Sequence, residues 1–251
     1  MFTQVKVIGR GRLGSAIHAR LAERGLAAEG PEADLVLLCV PDSAIGGAAG
    51  AVPLGPWVAH MSGATPLSAL APHERRFGLH PLQTFSGHTV PSFAGCTCAI
   101  EGTPVALRMA RRISRELGSV PVVLPSRRKA AYHVAAALAA GHALAVMETA
   151  VRILVKVGFP RQRAIHALLP LTRQTLANYE RVGPRAAWTG PLSRGDFGVI
   201  ERHLEALRPF PREYREAYDA LSRLGLNVLA SGGGSKKRLL EQTLARIKKP
   251  S

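Results

Sequence analysis

Apolar residues in the first half of the chain come in short runs that alternate with helix-like segments. Residues 35–40 form a continuous apolar run, which is typical of a parallel strand buried on both faces. Further strands are predicted at residues 5–8, 57–61, 77–79, 96–100 and 120–124, with a helix at 104–117. Strands separated by helices or loops predict an α/β fold with a doubly wound parallel sheet over residues 1–125.

The second half lacks this alternation and is rich in helix-favouring residues. Eight alanines lie between Ala130 and Ala143, and the helical pattern of residues 126–157 ends at Gly158-Phe159-Pro160. Further helices are predicted to about residue 182, at 196–207 and at 212–224, with a loop over 183–195. This pattern predicts a smaller all-helical domain at 126–230. The glycine-rich residues 231–235 then predict a flexible linker to a basic tail that ends at residue 251.

The first strand leads directly into the sequence Gly9-Arg10-Gly11-Arg12-Leu13-Gly14, which is a G-x-G-x-x-G motif. Residues 13–24 predict a helix, because an apolar residue recurs at every fourth position. In this context Gly9 permits a tight turn, Gly11 lets the backbone approach a pyrophosphate, and Gly14 lets the helix pack on the strand. The helix N-terminus then binds the phosphates. All six residues are therefore predicted to bind a dinucleotide, which makes residues 1–125 a Rossmann domain. The alternative is a glycine-rich turn without a ligand.

One part of the dinucleotide pattern is shortened. A Rossmann unit normally has a second strand that ends in Asp or Glu about 20 residues after the glycines. Here only residues 25–30 are available, and Glu29 has the expected separation. No arginine follows Glu29 to bind a 2′-phosphate, so Arg10 and Arg12 are the nearest alternatives. We therefore expect NADP, with NAD as the alternative, and a loosely held adenosine end.

Composition and charge narrow the class of protein. The chain has 33 Lys and Arg against 17 Asp and Glu, a net charge of +16, which favours an anionic partner. Only 5% of the residues are aromatic, and none of these lies in the short basic runs, so nucleic acid is not the expected partner. Three cysteines are too few for a disulfide framework or a four-cysteine zinc site. With no signal-like N-terminus and no uninterrupted apolar stretch of about 18 residues, we expect a cytoplasmic enzyme without a metal or a membrane partner.

Several polar residues follow predicted strands, at the edge where open α/β sheets bind ligands. Val40 and Pro41 are predicted to lie near the nicotinamide ribose, and Ser62 offers a hydroxyl to the cofactor. His80 precedes Pro81, which restricts the histidine backbone, and an ordinary histidine pKa of about 6.5 suits a proton donor. The alternatives are an ordinary strand-ending turn at Pro41 and a packed histidine at position 80.

Further candidates lie after this strand and on the long helix. Gln83 and Thr84 are predicted to bind substrate oxygens. His133 lies in the first turns of the helix, and His142 follows nine positions later, about 180° around it. Both histidines face one cleft only if the helix bends at Gly141, and we favour His133.

The most ambiguous segment is residues 189–196, Thr-Gly-Pro-Leu-Ser-Arg-Gly-Asp. Ser193 and Asp196 have the spacing of a capping box, with Ser193 as the helix cap, so a purely structural role explains both of them. That role does not explain Thr189 or Arg194. Arg194 can bind an anionic substrate with its bidentate fork, and Thr189 is assigned to the same substrate site.

Five strings together indicate a family. They are Val40-Pro41-Asp42, His60-Met61-Ser62-Gly63-Ala64, His80-Pro81-Leu82-Gln83-Thr84-Phe85, Tyr132-His133, and the segment 189–196. With them, the chain up to about Leu229 resembles Rossmann-like proteins that carry the domain of unknown function 2520. That family belongs to the 6-phosphogluconate-dehydrogenase-like superfamily, which includes pyrroline-5-carboxylate and ketopantoate reductases. The resemblance implies an NAD(P)-dependent oxidoreductase. One departure is Ala140-Gly141-His142, where family members often carry a Ser-Asn pair, and it puts an Asn-dependent catalytic arrangement in doubt.

The predicted function is hydride transfer between NADP, or NAD, and a small ketone, imine or alcohol that bears a carboxylate. His80 and His133 are alternative proton donors, Arg194 binds the substrate carboxylate, and Asp196 is an orienting group or a structural cap. These residues converge only if the helical domain closes over the sheet edge. The alternative is a non-catalytic dinucleotide sensor or assembly protein. The apolar long helix, together with the resemblance, also predicts a two-fold homodimer through the helical half.

Overall fold

The computed structural model describes residues 2–30, 32–87, 92–230, 234 and 238–243. The chain divides into two compact units, Met1–Ala143 and Leu144–Ser251. The division lies well beyond the predicted boundary at residue 125. The start of this added segment is bound to the sheet, because Lys129 is paired with Glu101 and Tyr132 is hydrogen-bonded to His80.

The first unit is built on a sheet of six strands in the order β1 to β6. The strands are β1 (Val5–Ile8), β2 (Leu35–Leu38), β3 (Trp57–His60), β4 (Arg76–Pro81), β5 (Thr97–Gly102) and β6 (Val120–Val123). The predicted α/β class and the mostly parallel sheet are confirmed. The exception is β5, which runs antiparallel to β4, while β6 is parallel to β5. An antiparallel neighbour needs no crossover helix, and the connection from β4 to β5 contains none in its described part, residues 82–87 and 92–96.

The expected second Rossmann strand is reduced to a single parallel bridge between Val5 and Ala27. Val5 also pairs with Leu35, so β1 lies between this bridge and β2. The chain therefore first moves to one side of β1 and then to the other. This reversal makes the carboxyl end of β1 the topological switch point, where open sheets bind ligands.

Helices α1 (Arg12–Glu23), α2 (Ile45–Gly50) and α3 (Pro104–Leu117) accompany the sheet. One sheet face forms a large apolar core with α1 and α3, in which Ile17, Phe77 and Ile113 are fully buried. The opposite face has a smaller apolar cluster at β2, β3 and α2. Helix α3 has the predicted bounds: the Thr103 hydroxyl caps its start by accepting from the Ala106 N–H, and Gly118 ends it in the left-handed region.

The predicted long helix is divided by a π-helical turn. Helix α4 (Lys129–Ala137) leads into the π turn Leu138–His142, which is followed by α5 (Ala143–Lys156). His142 is exposed, and its ring Nδ1 lies 3.0 Å from the Ala137 carbonyl oxygen. By length and composition alone, residues 126–156 could cross a membrane, and only 6% of their most apolar window is buried. Helices of water-soluble proteins also meet this criterion, so the finding is weak evidence for a membrane span.

The second unit continues with α6 (Arg161–Ala187), α7 (Pro191–Arg194), α8 (Phe197–Ala206) and α9 (Arg212–Leu229). Gly183, at φ +77°, interrupts α6 where the loop was predicted to begin. Ile200, Leu204 and Leu226 form the core of this unit together with Leu240 from the helical residues 238–243. The predicted linker and basic tail, residues 231–251, otherwise lie outside the described residues.

We predict that Gly14 and Gly11 differ sharply in their tolerance of a methyl group. A Cβ on Gly14 would lie 2.0 Å from the Gly9 carbonyl oxygen, whereas no described atom lies within 4 Å of the same position on Gly11. Gly14→Ala should therefore lower the free energy of unfolding by about 1–3 kcal/mol. Gly11→Ala should lower it by less than about 1 kcal/mol, the loss expected at a helix N-cap. Urea denaturation measures both values, and equal losses would contradict this packing.

Candidate active site at the carboxyl edge of the sheet

The glycine turn after β1 has the geometry of a phosphate cradle. Gly9 has φ +105°, and a Cβ there would lie 2.3 Å from the Cys39 carbonyl oxygen, so only glycine fits. Gly14 holds α1 directly against this turn. Gly11 is the N-cap of α1, and no capping side chain was found for it among the described residues. No described side chain therefore caps the backbone N–H groups at the start of α1, and such groups suit an anionic ligand.

Two arginines and a loop flank this turn. Arg10 and Arg12 are exposed, and the Cγ atom of Arg12 lies 3.2 Å from the Cβ position of Gly87. The loop that follows β4 is thus in contact with the predicted cofactor turn. Glu29, the candidate ribose ligand, has a carboxylate oxygen 3.1 Å from Nε2 of His18.

The predicted cofactor residues after β2 and β3 are linked to each other. Val40 borders the glycine turn, with its Cγ1 atom 3.3 Å from the Cβ position of Gly9, and Pro41 is exposed beside it. The Ser62 hydroxyl donates to Asp42 at 2.8 Å and accepts from the N–H groups of Ala64 and Thr65. Ser62 therefore shapes the loop after β3, and its hydroxyl is engaged with these partners.

Gln83 and Thr84 are exposed in the loop after β4. The Gln83 side chain accepts from the Thr84 N–H at 2.9 Å and donates to the Ser92 carbonyl at 3.3 Å. These bonds hold the loop together. They leave the Thr84 hydroxyl as the more accessible of the two predicted substrate contacts.

His80, Tyr132 and His133 meet around Gly63. Nδ1 of His80 lies 2.9 Å from the Tyr132 hydroxyl, and the rings of His80 and His133 are 5.9 Å apart, edge to face. A Cβ on Gly63 would lie 2.9 Å from Nδ1 of His133 and 3.0 Å from Nε2 of His80. Gly63 therefore allows the two histidines predicted as proton donors to face the same small space, and we call these four residues the His80 cluster.

A buried ion pair lies next to the His80 cluster. The ammonium of Lys129 is 2.9 Å from Oε2 of Glu101, and both side chains are less than a tenth exposed. Lys129 also donates to the Thr65 carbonyl, and Ser126 donates to Oε1 of Glu101. The pair fixes the start of α4 on β5 and thus places Tyr132 and His133 beside His80.

His60, Glu101 and Lys129 were not identified from the sequence. A signal was present, because His60 and Glu101 interrupt apolar strand segments, and a buried carboxylate requires a partner. The identity of that partner depends on tertiary contacts. Among the residues that the structure describes, no group of three His, Cys, Asp or Glu side chains could hold a metal ion.

Burial sets the protonation of the groups in this region. Desolvation, followed by the repulsion of His133 and Lys129, lowers the pKa of His80 to about 4. Desolvation, followed by the repulsion of Lys129, lowers the pKa of His60 to about 4. Burial also raises the pKa of Tyr132 to about 12. At neutral pH all three side chains are therefore uncharged.

The candidates in the second unit form a local arrangement of their own. Arg194 donates to Asp196 at 2.9 Å, and both are exposed, as is Thr189. The capping-box interpretation is wrong: Ser193 lies within α7 and donates to the Gly190 carbonyl, while Asp196 itself occupies the N-cap position of α8. Its carboxylate pairs with Arg194 instead of a backbone N–H. The convergence of Thr189, Arg194 and Asp196 with His80 stays a prediction.

The lowered pKa of His60 predicts a loss of stability in acid. In the unfolded chain His60 takes up a proton near pH 6.5, but in the folded protein only near pH 4. Between these values the unfolded state binds more protons than the folded state. The free energy of unfolding should therefore decrease as the pH is lowered from about 6.5 to about 4, by up to about 3 kcal/mol from this residue. Urea denaturation near neutral pH and at about pH 4.5 measures the change. The slope should be shallower in His60→Gln and unchanged in His142→Gln, whose histidine is exposed; equal slopes in all three proteins would contradict the assignment.

Comparisons with known proteins agree with this architecture. Similar solved structures include a "putative NADP oxidoreductase" from Bacteroides fragilis, at 23% identity and a TM-score of 0.75, covering 88% of this chain and 97% of that one. A protein from Thermotoga maritima has 22% identity and a TM-score of 0.69, covering 98% and 100%. A reductive aminase from Aspergillus terreus, in complex with NADPH and ethyl-5-oxohexanoate, has 15% identity and a TM-score of 0.69, covering 96% and 99%. At these identities the likeness establishes the fold.

A search of curated protein sequences finds no match. The family model of the domain of unknown function DUF2520 matches residues 96–224, which is just over half of the chain. The matched region begins before β5 and includes Glu101, Lys129, Tyr132, His133 and the segment 189–196. The chain therefore belongs to the DUF2520 family.

Proposed function

We propose that the protein is an NADPH-dependent reductase of a small ketone or imine. The observation that carries the proposal is the position of the His80 cluster. It lies at the carboxyl ends of β3 and β4, in the same compact unit and at the same sheet edge as the glycine turn after β1. A phosphate cradle and a group of proton donors at one edge suit a reaction that transfers a hydride and a proton.

The glycine turn fits the cofactor's pyrophosphate, because the Cβ position of Gly11 is open and the start of α1 offers backbone N–H groups. Arg10 and Arg12 supply positive charge beside it and favour NADP over NAD. Glu29 is already paired with His18, which reduces its capacity to bind the ribose hydroxyls of NAD. When bound, the cofactor supplies the hydride. The NADP oxidoreductase and the NADPH complex among the similar structures support this choice.

His80 is the proton donor that the geometry favours. Its Nδ1 is occupied by Tyr132, so its Nε2 is the nitrogen that faces Gly63 and His133. His133 is exposed and is the alternative donor. In the proposed reaction Arg194 binds a carboxylate of the substrate, and Asp196 orients that arginine through their ion pair. Thr84 and Thr189 offer exposed hydroxyls to the substrate oxygens.

Cofactor binding is the first test of this function. Wild-type protein should bind NADPH in the micromolar range in a fluorescence or calorimetric titration, and NADH more weakly. Gly11→Asp should abolish binding, because its carboxylate would repel the pyrophosphate at the start of α1. Gly50→Asp is the matched control, because Gly50 also has open space at its Cβ position but lies at the end of α2. If the wild-type protein binds neither NADPH nor NADH, the proposed function is rejected.

Turnover separates a reductase from a dinucleotide sensor. A screen of small keto acids and imines should identify one that oxidises NADPH. His80→Ala should then lower kcat by about 100-fold or more and leave the Kd of NADPH nearly unchanged. Tight cofactor binding with no turnover on any screened compound would favour the sensor. Equal turnover in His80→Ala and wild type would transfer the donor role to His133.

We also propose a two-fold homodimer, on the evidence of the long helix. Val134, Leu138 and Leu144 are each more than half exposed, as are Leu171 and Leu176 of α6. Together these residues expose more apolar side-chain surface than a solvent-facing helix normally does. A second copy of the chain would cover it.

Light scattering at tens of micromolar should therefore give the mass of a dimer, since an interface above about 1,000 Å² persists at that concentration. Leu138→Glu should give a monomer. Leu54→Glu, at an exposed leucine between α2 and β3, should not. Wild-type monomer that partitions into lipid vesicles would instead assign the apolar helix to a membrane surface.

A further inference from the structure

A polar row crosses the sheet beneath α4. His60 on β3 pairs in register with Gly78 on β4, and Gly78 pairs with Glu101 on β5. Residues paired in register point to the same face, so His60 and Glu101 flank the space that Gly78 leaves open. A Cβ on Gly78 would lie 3.3 Å from Cε1 of His60 and 3.4 Å from Oε2 of Glu101.

This space belongs to a small cavity of about 10 Å³. The lining includes Gly78, His80, Glu101, Lys129 and Tyr132. Its size is close to the minimum that holds one water molecule. In its lining, Oε2 of Glu101 is buried and, apart from the ion pair with Lys129, has no hydrogen-bond partner among the described residues.

His60 supplies an independent sign of a ligand. Its side chain is fully buried, its Nδ1 accepts from the Ser62 N–H at 3.3 Å, and its Nε2 has no hydrogen-bond partner among the described residues. A neutral ring carries one proton, and because Nδ1 accepts from the Ser62 N–H, that proton is on Nε2. A buried donor without an acceptor is costly, and where no protein group satisfies it, an ordered water is the usual partner.

We propose that one water molecule binds over Gly78, accepts a hydrogen bond from Nε2 of His60, and connects the Lys129–Glu101 ion pair to the His80–Tyr132 pair as a buried proton path. The water site stands on the geometry alone. Its role as a proton path rests on the proposed reductase function.

The path balances the protons of one reduction. When the substrate carbon has accepted a hydride, its oxygen or nitrogen needs one proton, and Nε2 of His80 releases it. Nδ1 of His80 takes the hydroxyl proton of Tyr132, and the bound water gives a proton to the Tyr132 oxygen while it takes one from the ammonium of Lys129. Lys129 is left neutral beside Glu101 and regains a proton from solvent before the next turnover. His80 exchanges one neutral tautomer for the other and returns in the same interval.

Gly78 allows a direct test, because a methyl group there displaces the water and a hydroxymethyl group replaces it. Gly78 does not have a positive φ, so both side chains are compatible with its backbone. In NMR spectra of the free protein, wild type should show a negative water NOE, the sign of a long-lived buried water, at Hε2 of His60. Gly78→Ala should lose this signal and keep its fold. Absence of the signal in wild type overturns the water site.

The second readout is the rate of single-turnover NADPH oxidation, measured with the ketone or imine that the screen identifies. Gly78→Ala should be about tenfold slower or more, with an unchanged Kd for NADPH. Gly78→Ser should recover to within about threefold of wild type, because its hydroxyl can relay the proton. Gly47→Ala, at an open glycine of α2, is the control and should match wild type. A Gly78→Ala protein as fast as wild type overturns the path and assigns proton delivery to the exposed His133. If wild-type protein does not oxidise NADPH, the proposed reductase function is rejected. The NMR signal still decides whether the water site exists.

Discussion

The Lys129–Glu101 ion pair is the interaction on which the candidate active site depends. Both charges are nearly removed from solvent, and each would be costly there without the other. The pair fixes the first turn of α4 against β5, and the next turn then carries Tyr132 and His133 to His80. A hydrophobic contact in the same place would also hold the helix, but it would not set the charge and the hydrogen bonds around His80.

The reversed direction of β5 makes this pair possible. Antiparallel pairing with β4 brings Glu101 opposite Gly78, in the same row as His60. The sheet face beneath α4 is consequently polar, whereas the apolar core lies on the opposite face and beneath α2. Stability and chemistry are thus separated within one sheet. The apolar clusters and the close contact at Gly14 hold the unit together, and the polar region beneath α4 positions the ionisable and hydrogen-bonding groups.

The sequence was most informative where a pattern has a local cause. The strand that leads into the glycine turn, the bounds of α3 and the shortened second strand all follow from short stretches of residues, and the structure has them as predicted. His80 and His133 were identified as candidates because each lies at a predictable place, a strand end and the start of a helix. Their approach around Gly63, 53 positions apart in the chain, had no local signal.

By itself, the sequence determined the α/β class, the dinucleotide-type turn and the helical second half. These features depend on hydrophobic periodicity and on glycine positions, which involve only residues close together in the chain. Only the tertiary structure decided the direction of β5, the partner of each buried charge and the protonation of His60 and His80. It also showed that Asp196 occupies the N-cap position of α8, although the spacing had favoured Ser193 as the cap. The physical reason is that a buried charge takes its partner from whichever strand or helix packs beside it. That neighbour is fixed by strand order and direction, to which residues far apart in the chain contribute.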